Sequence, residues 1–147
     1  MPYSFQIEKE DEKKIAKAFG NELNISPKHA NEVCYAIKGM LVDKALEYLK
    51  RVQEKKEFIK FRRYKKKIPH RRKGIPGRYP VKAAGKISEI LLNVKANAEY
   101  KGLNTERIKI IHATAYKALT LERIKPKGRA RPSNIELTNI EIIVKEV

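Results

Sequence analysis

Two segments near the end of the chain constrain its fold more than any other feature. Residues 107–123 and 134–147 are both rich in Ile, Thr and other residues that favour a pleated, half-buried strand. The residues between them include one glycine and two prolines, which disfavour continuation of either strand. The pattern predicts an extended β-hairpin over residues 106–147, with its tip at residues 123–134.

Basic side chains occupy every second position of this tip: Arg123, Lys125, Lys127, Arg129 and Arg131. In an extended chain this spacing places the charges on one side. No Asp or Glu lies among them, so the charges repel one another and favour a polyanionic partner. A solvated basic loop is the alternative interpretation of the tip alone.

The positive charge of the chain is concentrated in its middle. The formal net charge is +17, and residues 58–131 hold 22 of the 34 Lys and Arg but only 4 of the 17 Asp and Glu. Residues 1–57 and 132–147 are close to neutral. A positive electrostatic potential concentrated in one part of the chain is typical of a protein that binds nucleic acid or another anionic surface.

Apolar residues at helical spacing predict three helices. They extend over residues 26–39, 42–56 and 81–101. Ser26-Pro27 is a typical helix start, with Ser as N-cap and Pro at the first helical position. In the first helix Cys34 falls on the apolar side, whereas Glu32 is expected on a solvated face.

The beginning of the chain adds a short strand over residues 3–8, from its alternating pattern, and a short helix over residues 10–19 that Gly20 would end. The predicted fold class is therefore α+β. A small antiparallel sheet of about three strands, one of them the first strand, packs on about three helices and carries a long protruding β-hairpin. Residues 1–147 are expected to form a single domain.

Residues 58–79 interrupt the helical pattern. They contain ten Lys and Arg, no Asp or Glu, and four interleaved aromatic residues, while Pro and Gly disfavour regular structure. The segment is too long for an ordinary connector. It is either a disordered basic linker or an RNA-binding loop that orders on its partner, with cations on phosphates and aromatic rings on bases.

The predicted RNA-binding residues lie in this loop, at the start of the third helix and on the hairpin. Those in or next to the loop are Lys60, Arg62, Arg63, Tyr64, Lys65, Lys66, Lys67, His70, Arg71, Arg72, Lys73, Arg78, Tyr79 and Lys82. Those on the hairpin are Lys117, Arg123, Lys125, Lys127, Arg129 and Arg131.

The residue types that catalysis or metal binding needs are scattered. Cys34 is the only cysteine, which excludes a disulfide framework and fits a reducing cytosol. His29, His70 and His112 have no second His or Cys at ligand spacing. There is no P-loop and no paired acid–base site, so we expect no cofactor, metal, small-molecule substrate or enzymatic activity. No apolar run approaches about 18 residues, and the charge does not follow an amphipathic helix, so no membrane association is expected.

Six motifs in the same order resemble one family, the universal large-subunit ribosomal protein family number twenty-two. They are Asn24-Ile25-Ser26-Pro27-Lys28, Ile37-Lys38-Gly39, Lys44-Ala45-Leu46-Glu47-Tyr48-Leu49, Gly77-Arg78-Tyr79-Pro80-Val81-Lys82-Ala83, Asn97-Ala98-Glu99 and Pro126-Lys127-Gly128-Arg129-Ala130. The long basic loop before Gly77 resembles the archaeal and eukaryotic branch, and the short tip favours its archaeal members.

The resemblance implies a cytoplasmic constituent of the large ribosomal subunit that contacts ribosomal RNA and neighbouring large-subunit proteins. It also implies that the hairpin tip lines the nascent-polypeptide exit tunnel and lies near the nascent chain. The tip residues are Lys125, Pro126, Lys127, Gly128, Arg129, Ala130 and Arg131. A free-standing basic RNA-binding regulatory protein is the alternative that shares the same charge distribution.

Overall fold

A computed structural model describes residues 4–5, 14–125 and 131–147, except for the side chains of Lys73 and Arg131. The helices are α1 (Pro27–Ile37), α2 (Val42–Gln53) and α3 (Val81–Tyr100). The strands are β1 (Ile15–Leu23), β2 (Ile59–Lys60), β3 (Gly77–Arg78), β4 (Ile108–Leu121), β5 (Ile124–Lys125), β6 (Arg131–Pro132) and β7 (Ile135–Glu146). None of the helices in the described ranges combines the length and the apolar composition that a membrane-spanning helix needs.

The main sheet has the strand order β1-β7-β4, with β7 antiparallel to both neighbours. Helices α1 and α3 contact this sheet, and α2 packs against α3. Strands β4 and β7 are the two arms of the predicted hairpin, and the short β5–β6 pair continues it toward the tip. The predicted fold class, α+β with a three-stranded sheet, three helices and a long hairpin, is confirmed.

The core forms where the alternation of the strands meets the apolar stripes of the helices. Ile140, Ile142 and Val144 of β7 are fully buried and belong to the same cluster as Ile87 and Leu91 of α3. Burying one such side chain contributes about 1.5–3 kcal/mol to the stability of the folded state. The alternate positions of β7 face the opposite side of the sheet, because successive side chains of a strand point to opposite faces.

The predicted helix over residues 10–19 is wrong where the structure describes it, since Ile15–Leu23 form the edge strand β1. Pairing of Ile15 with Lys145 and of Gly20 with Ile140 overrides the helical tendency of an alanine-rich segment. Gly20 does not end a helix. A Cβ atom there would lie 2.5 Å from Cδ1 of Ile90, so glycine lets α3 approach the strand closely.

Of the strand predicted over residues 3–8, the structure describes only Ser4 and Phe5, which form a bend rather than a strand. The rest of that segment lies outside the described residues. Among the described residues, the third strand of the sheet is β1, which pairs with β7.

Residues 58–79 contain regular structure that their Pro and Gly content led us not to expect. Strands β2 and β3 pair antiparallel, with Ile59 opposite Arg78 and Lys60 opposite Gly77. A 3-10 turn at Arg72–Gly74 lies between them. Strands of only two residues are stable here because the neighbouring side chains of Ile59, Phe61 and Ile68 are buried.

We predict opposite effects for two Gly→Ala substitutions. At Gly77 a Cβ atom would lie 2.3 Å from the Phe58 ring and 3.0 Å from the Ile59 carbonyl oxygen, so G77A is expected to cost about 1–3 kcal/mol of unfolding free energy. Gly85 lies within α3 and has no atom within 4 Å of that position, so G85A should stabilise by about 0.5–1 kcal/mol. Urea denaturation measures both. Equal effects of the two substitutions would contradict the close packing at Gly77.

The other face of the sheet holds a buried carboxylate, that of Glu141 on β7, which is 1% exposed. It accepts hydrogen bonds from the Ser4 backbone N–H (3.0 Å), the Ser4 hydroxyl (2.6 Å) and the Tyr116 hydroxyl (3.0 Å). The Phe5 ring lies 5.0 Å from the His112 ring, centroid to centroid. Ser4 and Phe5 therefore cover part of this face of the sheet.

These contacts predict a loss of stability in acid. Burial alone would raise the pKa of Glu141, but the hydrogen bonds from Ser4 and Tyr116 outweigh it and lower the pKa below its ordinary value of 4.5. Burial, with a smaller effect of Lys38, also lowers the pKa of His112 below 6.5. A group with a lowered pKa in the folded state stabilises the fold above its unfolded pKa, and that contribution disappears as the pH falls through the folded value. Stability should therefore decline below about pH 6.5 and decline further below about pH 4.5.

The substitution Glu141→Gln tests the contribution of the carboxylate, including its contact with His112 (Oε2 to Nε2, 3.8 Å), which raises the pKa of that imidazole. We expect E141Q to be less stable than the wild type by about 2 kcal/mol at neutral pH, because the charge-assisted bonds are weakened, and this difference should shrink below about pH 4. Urea denaturation of both proteins across this pH range is the measurement. Glu136→Gln, at an exposed ion pair with Lys117, serves as the control. A difference between E141Q and wild type that is constant with pH would contradict the assignment.

Candidate nucleic-acid interface

Residues 58–79, which we call the basic loop, are packed against the helices by three apolar side chains. Ile59 is fully buried, Phe61 is 1% exposed and Ile68 is 9% exposed. The Phe61 ring makes an edge-to-face contact with His29 of α1, with 5.5 Å between centroids. Phe61 is therefore part of the packing, which corrects the expectation that all four aromatic residues of the loop would be free to stack on bases.

The carboxylate of Glu32 on α1 holds the beginning of the basic loop. It accepts a hydrogen bond from the backbone N–H of Arg62 (3.0 Å) and another from that of Arg63 (2.7 Å). Glu32 is only 3% exposed, so its expected position on a solvated face is wrong. A buried carboxylate that receives two backbone donors fixes the direction of the chain at the point where the basic residues begin.

Aromatic rings hold three cations in place on this surface. The Arg62 guanidinium lies 3.8 Å from the centroid of the Tyr35 ring, and that of Arg71 lies 4.9 Å from the Tyr79 ring. The Lys28 ammonium lies 5.4 Å from the Tyr64 ring. Such cation–π contacts contribute about 0.5–1 kcal/mol each at exposed sites. They order the long side chains without neutralising their charge.

Most of the cations in the basic loop have no acidic partner in the part of the chain that the structure describes. Among the described residues, none of the following nine side chains lies within 4.0 Å of a carboxylate. They are Lys60, Arg62, Arg63, Lys65, Lys66, Lys67, Arg71, Arg72 and Arg78. Elsewhere the chain does pair its cations, as in the ion pairs Lys95–Asp43 and Lys86–Glu89. The positive potential of the loop is therefore uncompensated within the described structure.

Two of these cations also stabilise the loop itself. Arg71 donates a hydrogen bond to the Gly77 carbonyl oxygen (3.2 Å), and Arg78 donates one to that of Lys67 (3.0 Å). His70 forms a bridge with Pro76 through its backbone. Lys82 is exposed at the start of α3, next to the end of the loop. The structure thus brings the sequence-predicted residues of the loop, apart from the side chain of Lys73, onto one continuous ordered segment.

The hairpin places its cations less uniformly. Lys117 of β4 forms an ion pair with Glu136 (3.1 Å), so it is partly neutralised. Arg123 is exposed, and Lys125 of β5 pairs in register with Arg131 of β6. The other predicted tip residues, Pro126, Lys127, Gly128, Arg129 and Ala130, lie outside the described residues. Next to them, Leu119, Leu121 and Ile124 are exposed apolar side chains that the charge pattern did not single out.

A cavity of about 630 Å³ lies between the starts of α1 and α3 and the hairpin. Its lining includes His29 of α1, Tyr79 and Lys82 near the start of α3, and Asn134 beside β7. Burial, and to a smaller degree the charge of Arg78, lowers the pKa of His29, so this imidazole stays neutral at pH 7. Glu136 of β7 also lines the cavity, so the start of α3 and the hairpin are neighbours here without joining the two basic regions.

Sequence reasoning missed three residues of α1, namely Lys28, Glu32 and Tyr35. They are spaced four and three positions apart, so they lie along one face of the helix. This face contacts the basic loop: Glu32 is buried beneath it, while Lys28 and Tyr35 remain exposed and contact it through their cation–π pairs. The available signal was the pair Ile59 and Phe61, whose apolar side chains indicate that the loop must pack on something.

The fold and this surface define a class of protein: a small basic α+β domain with an ordered cationic loop and a two-stranded arm. The sequence profile of the family described as ribosomal protein L22p/L17e matches residues 18–145. The chain therefore belongs to that family, as the six motifs predicted.

Curated relatives cover nearly the whole chain. The large ribosomal subunit protein uL22 of Methanopyrus kandleri is 49% identical over 98% of this chain and 94% of its own length. The proteins of the same name from Archaeoglobus fulgidus and Aeropyrum pernix are each 46% identical, over 97% and 99% of this chain and 95% and 98% of their own. All three relatives carry the name of a large ribosomal subunit protein, and none is named as an enzyme.

Proposed function

We propose that this chain is a structural constituent of the large ribosomal subunit in the cytoplasm, where it binds ribosomal RNA and neighbouring ribosomal proteins. The observation that carries the proposal is the block of nine loop cations that have no acidic partner among the described residues, in a loop held in place by Glu32 and by aromatic rings. Such a surface neutralises phosphates wherever the backbone of a folded RNA follows it. The shared family and the names of the relatives supply the identity of that RNA.

The hairpin is the second part of the chain for which we propose a role. Beyond Lys117 the arms leave the body, and their side chains are largely exposed. An isolated two-stranded ribbon is marginal in water. We propose that the arm inserts between RNA segments during assembly and that its tip lines the exit tunnel for the nascent polypeptide. The exposed Leu119, Leu121 and Ile124 would then contact RNA bases or neighbouring proteins.

Sedimentation of tagged protein from its own cells tests the main proposal. The lysate is run on a sucrose gradient before and after a high-salt wash. We expect salt-resistant co-migration with the large subunit, because an inserted arm cannot dissociate through loss of ion pairs alone. Protein mainly at the top of the gradient before the wash would instead support a free-standing RNA-binding regulator.

Photo-crosslinking tests the role of the tip. A photoreactive amino acid replaces Lys127 in one variant and Lys109, at the far end of β4, in the control. With ribosomes stalled on a labelled nascent chain, we expect crosslinks to that chain from position 127 and none from position 109. Crosslinks to RNA alone from position 127 would contradict a tip exposed to the tunnel lumen.

A further inference from the structure

A second cavity, of about 520 Å³, lies between α1 and the basic loop. We propose that it binds a single unstacked nucleotide of the RNA, with the base against Tyr64 and the phosphate among Lys28, Lys65 and Arg78. This inference rests on the proposed RNA-binding function and adds a specific site to it. From the sequence, the cations of the loop are predicted only to bind phosphates in general. Lys28 and His29 are not among the predicted RNA-binding residues.

The cavity is large enough for one nucleotide. Its volume lies within the range of about 300–1,000 Å³ that is typical of sites for small ligands. Phe61 and Ile68, which are both buried, contribute apolar surface to its lining. Tyr64 is 49% exposed and contributes a ring at which a base can stack. Aromatic rings that accept unpaired bases are the usual means by which proteins recognise single-stranded RNA.

The charge of the cavity selects an anion. Lys28, Lys65, Lys66 and Arg78 line it, and no Asp or Glu does so among the described residues. His29 also lines it and offers a neutral imidazole, because burial lowers its pKa. A phosphate therefore meets several cations, while the ring nitrogens of His29 remain available for hydrogen bonds with a base or a ribose hydroxyl.

The backbone around the cavity is held in an unusual conformation. Tyr64 and Lys67 have φ angles of 52° and 58°, in the left-handed region, which costs about 1–2 kcal/mol for a residue other than glycine. The hydrogen bond from Arg78 to the Lys67 carbonyl oxygen and the contact between Lys28 and the Tyr64 ring maintain this conformation. Glu22 and Lys55, which lie away from the cavity, also have positive φ angles, so the conformation fixes the position of the Tyr64 ring and is not by itself a mark of a ligand site. Tyr64 is thus positioned before any RNA arrives.

The test compares two RNA hairpins that are identical except for one unpaired uridine in the stem. Full-length protein should bind the bulged hairpin on the order of 10-fold more tightly, which corresponds to about 1.4 kcal/mol and lies within the range for one base on an aromatic ring. We expect Tyr64→Ala to abolish this preference and Tyr64→Phe to retain it. Lys28→Ala should reduce the preference, since it removes a cation of the cavity together with the contact that this cation makes with the Tyr64 ring.

Arg72→Ala is the matched control, because Arg72 is an exposed cation of the same loop that does not line the cavity. It should weaken binding of both hairpins by the same factor. Equal wild-type affinities for the two hairpins, or a preference that survives Tyr64→Ala, would overturn the nucleotide site and leave the proposed function intact. Failure to bind either hairpin at low salt would overturn the proposed function as well.

Free uridine 5′-monophosphate distinguishes a nucleotide within RNA from a soluble one. We expect it to bind at least 100-fold more weakly than the bulged hairpin, because it lacks the flanking phosphates that the rest of the basic loop contacts. NMR titration of the Tyr64 and His29 signals measures this binding. An affinity equal to that of the hairpin would assign the cavity to a free nucleotide and overturn the RNA site.

Discussion

Replacing Glu32 by Ala is expected to lower the free energy of unfolding by about 3 kcal/mol. The carboxylate is 3% exposed and accepts hydrogen bonds from the backbone N–H groups of Arg62 and Arg63. Hydrogen bonds to a charged group contribute about 1.5–3 kcal/mol each, and removing the acceptor leaves donors in a partly buried position without a partner. The loss should therefore exceed that of any exposed carboxylate in this chain.

Urea denaturation and amide hydrogen exchange measure the effect. In E32A the amides of Arg62 and Arg63 should exchange faster, while those of α3 should change only through the lower global stability. Glu47→Ala, at an exposed position on α2, is the matched control and should change stability by less than about 0.5 kcal/mol. Stability of E32A within that same margin, with both amides still protected, would show that Glu32 does not hold the loop.

The RNA affinity of E32A separates loop order from net charge. The substitution removes a negative charge beside the basic loop, so electrostatics alone predicts tighter binding of RNA. If Glu32 instead acts by ordering the loop, binding should weaken several-fold, because part of the binding free energy is then used to order the chain. The two explanations predict opposite signs, so a filter-binding titration decides between them.

The elements that could be predicted from sequence are those whose signals are local. Pro27 and Val81 begin helices where the chain changes composition, and the two arms of the hairpin have the strand-favouring residues that β4 and β7 require. These signals are independent of the rest of the fold. They are sufficient to fix the three helices, the hairpin and hence the fold class.

Strand β1 could not be predicted in the same way. The stretch from Ile15 to Phe19 contains two alanines and a lysine at a spacing that suits a helix as well as a strand. Its structure is decided by β7, more than a hundred residues away, whose free edge accepts it. The reason for glycine at position 20 can be recognised only when the position of α3 is known, because Gly20 leaves room for the side chain of Ile90.

The candidate site shows the same division between local and distant information. The charge of this site could be predicted, because its nine cations all lie within residues 60–78 and no Asp or Glu interrupts them. The ordered conformation of the basic loop could not be predicted, because Glu32 and Tyr35, which hold the loop, belong to α1. A carboxylate on a helix surface is normally solvated, and only the position of the Arg62 and Arg63 amides shows that this one is not. The cavity beside Tyr64 likewise exists only in the folded chain.

The largest effect on RNA binding is expected from reversing the charge of Arg62, Arg63, Lys65, Arg71 and Arg72 together. With about eight phosphate contacts, the slope of log affinity against log salt should be roughly −6 to −7 for the wild type. Losing five of these contacts should reduce the slope to about −2 to −3. Because each lost contact acts most strongly at low salt, affinity at about 50 mM salt should fall on the order of 10³-fold or more, whereas at high salt the two proteins should converge.

A control variant with the same change in net charge shows whether the position of the charges matters. It reverses Lys38, Lys44, Lys50, Lys56 and Lys86, which lie outside the basic loop on or beside the helices. This variant should keep most of the wild-type slope, because its cations do not follow the proposed path of the RNA backbone. Urea denaturation of each variant excludes unfolding as the cause, which is needed because Arg71 also bonds the Gly77 carbonyl. If both variants lose affinity equally, the binding depends on overall charge and the basic loop is not the interface.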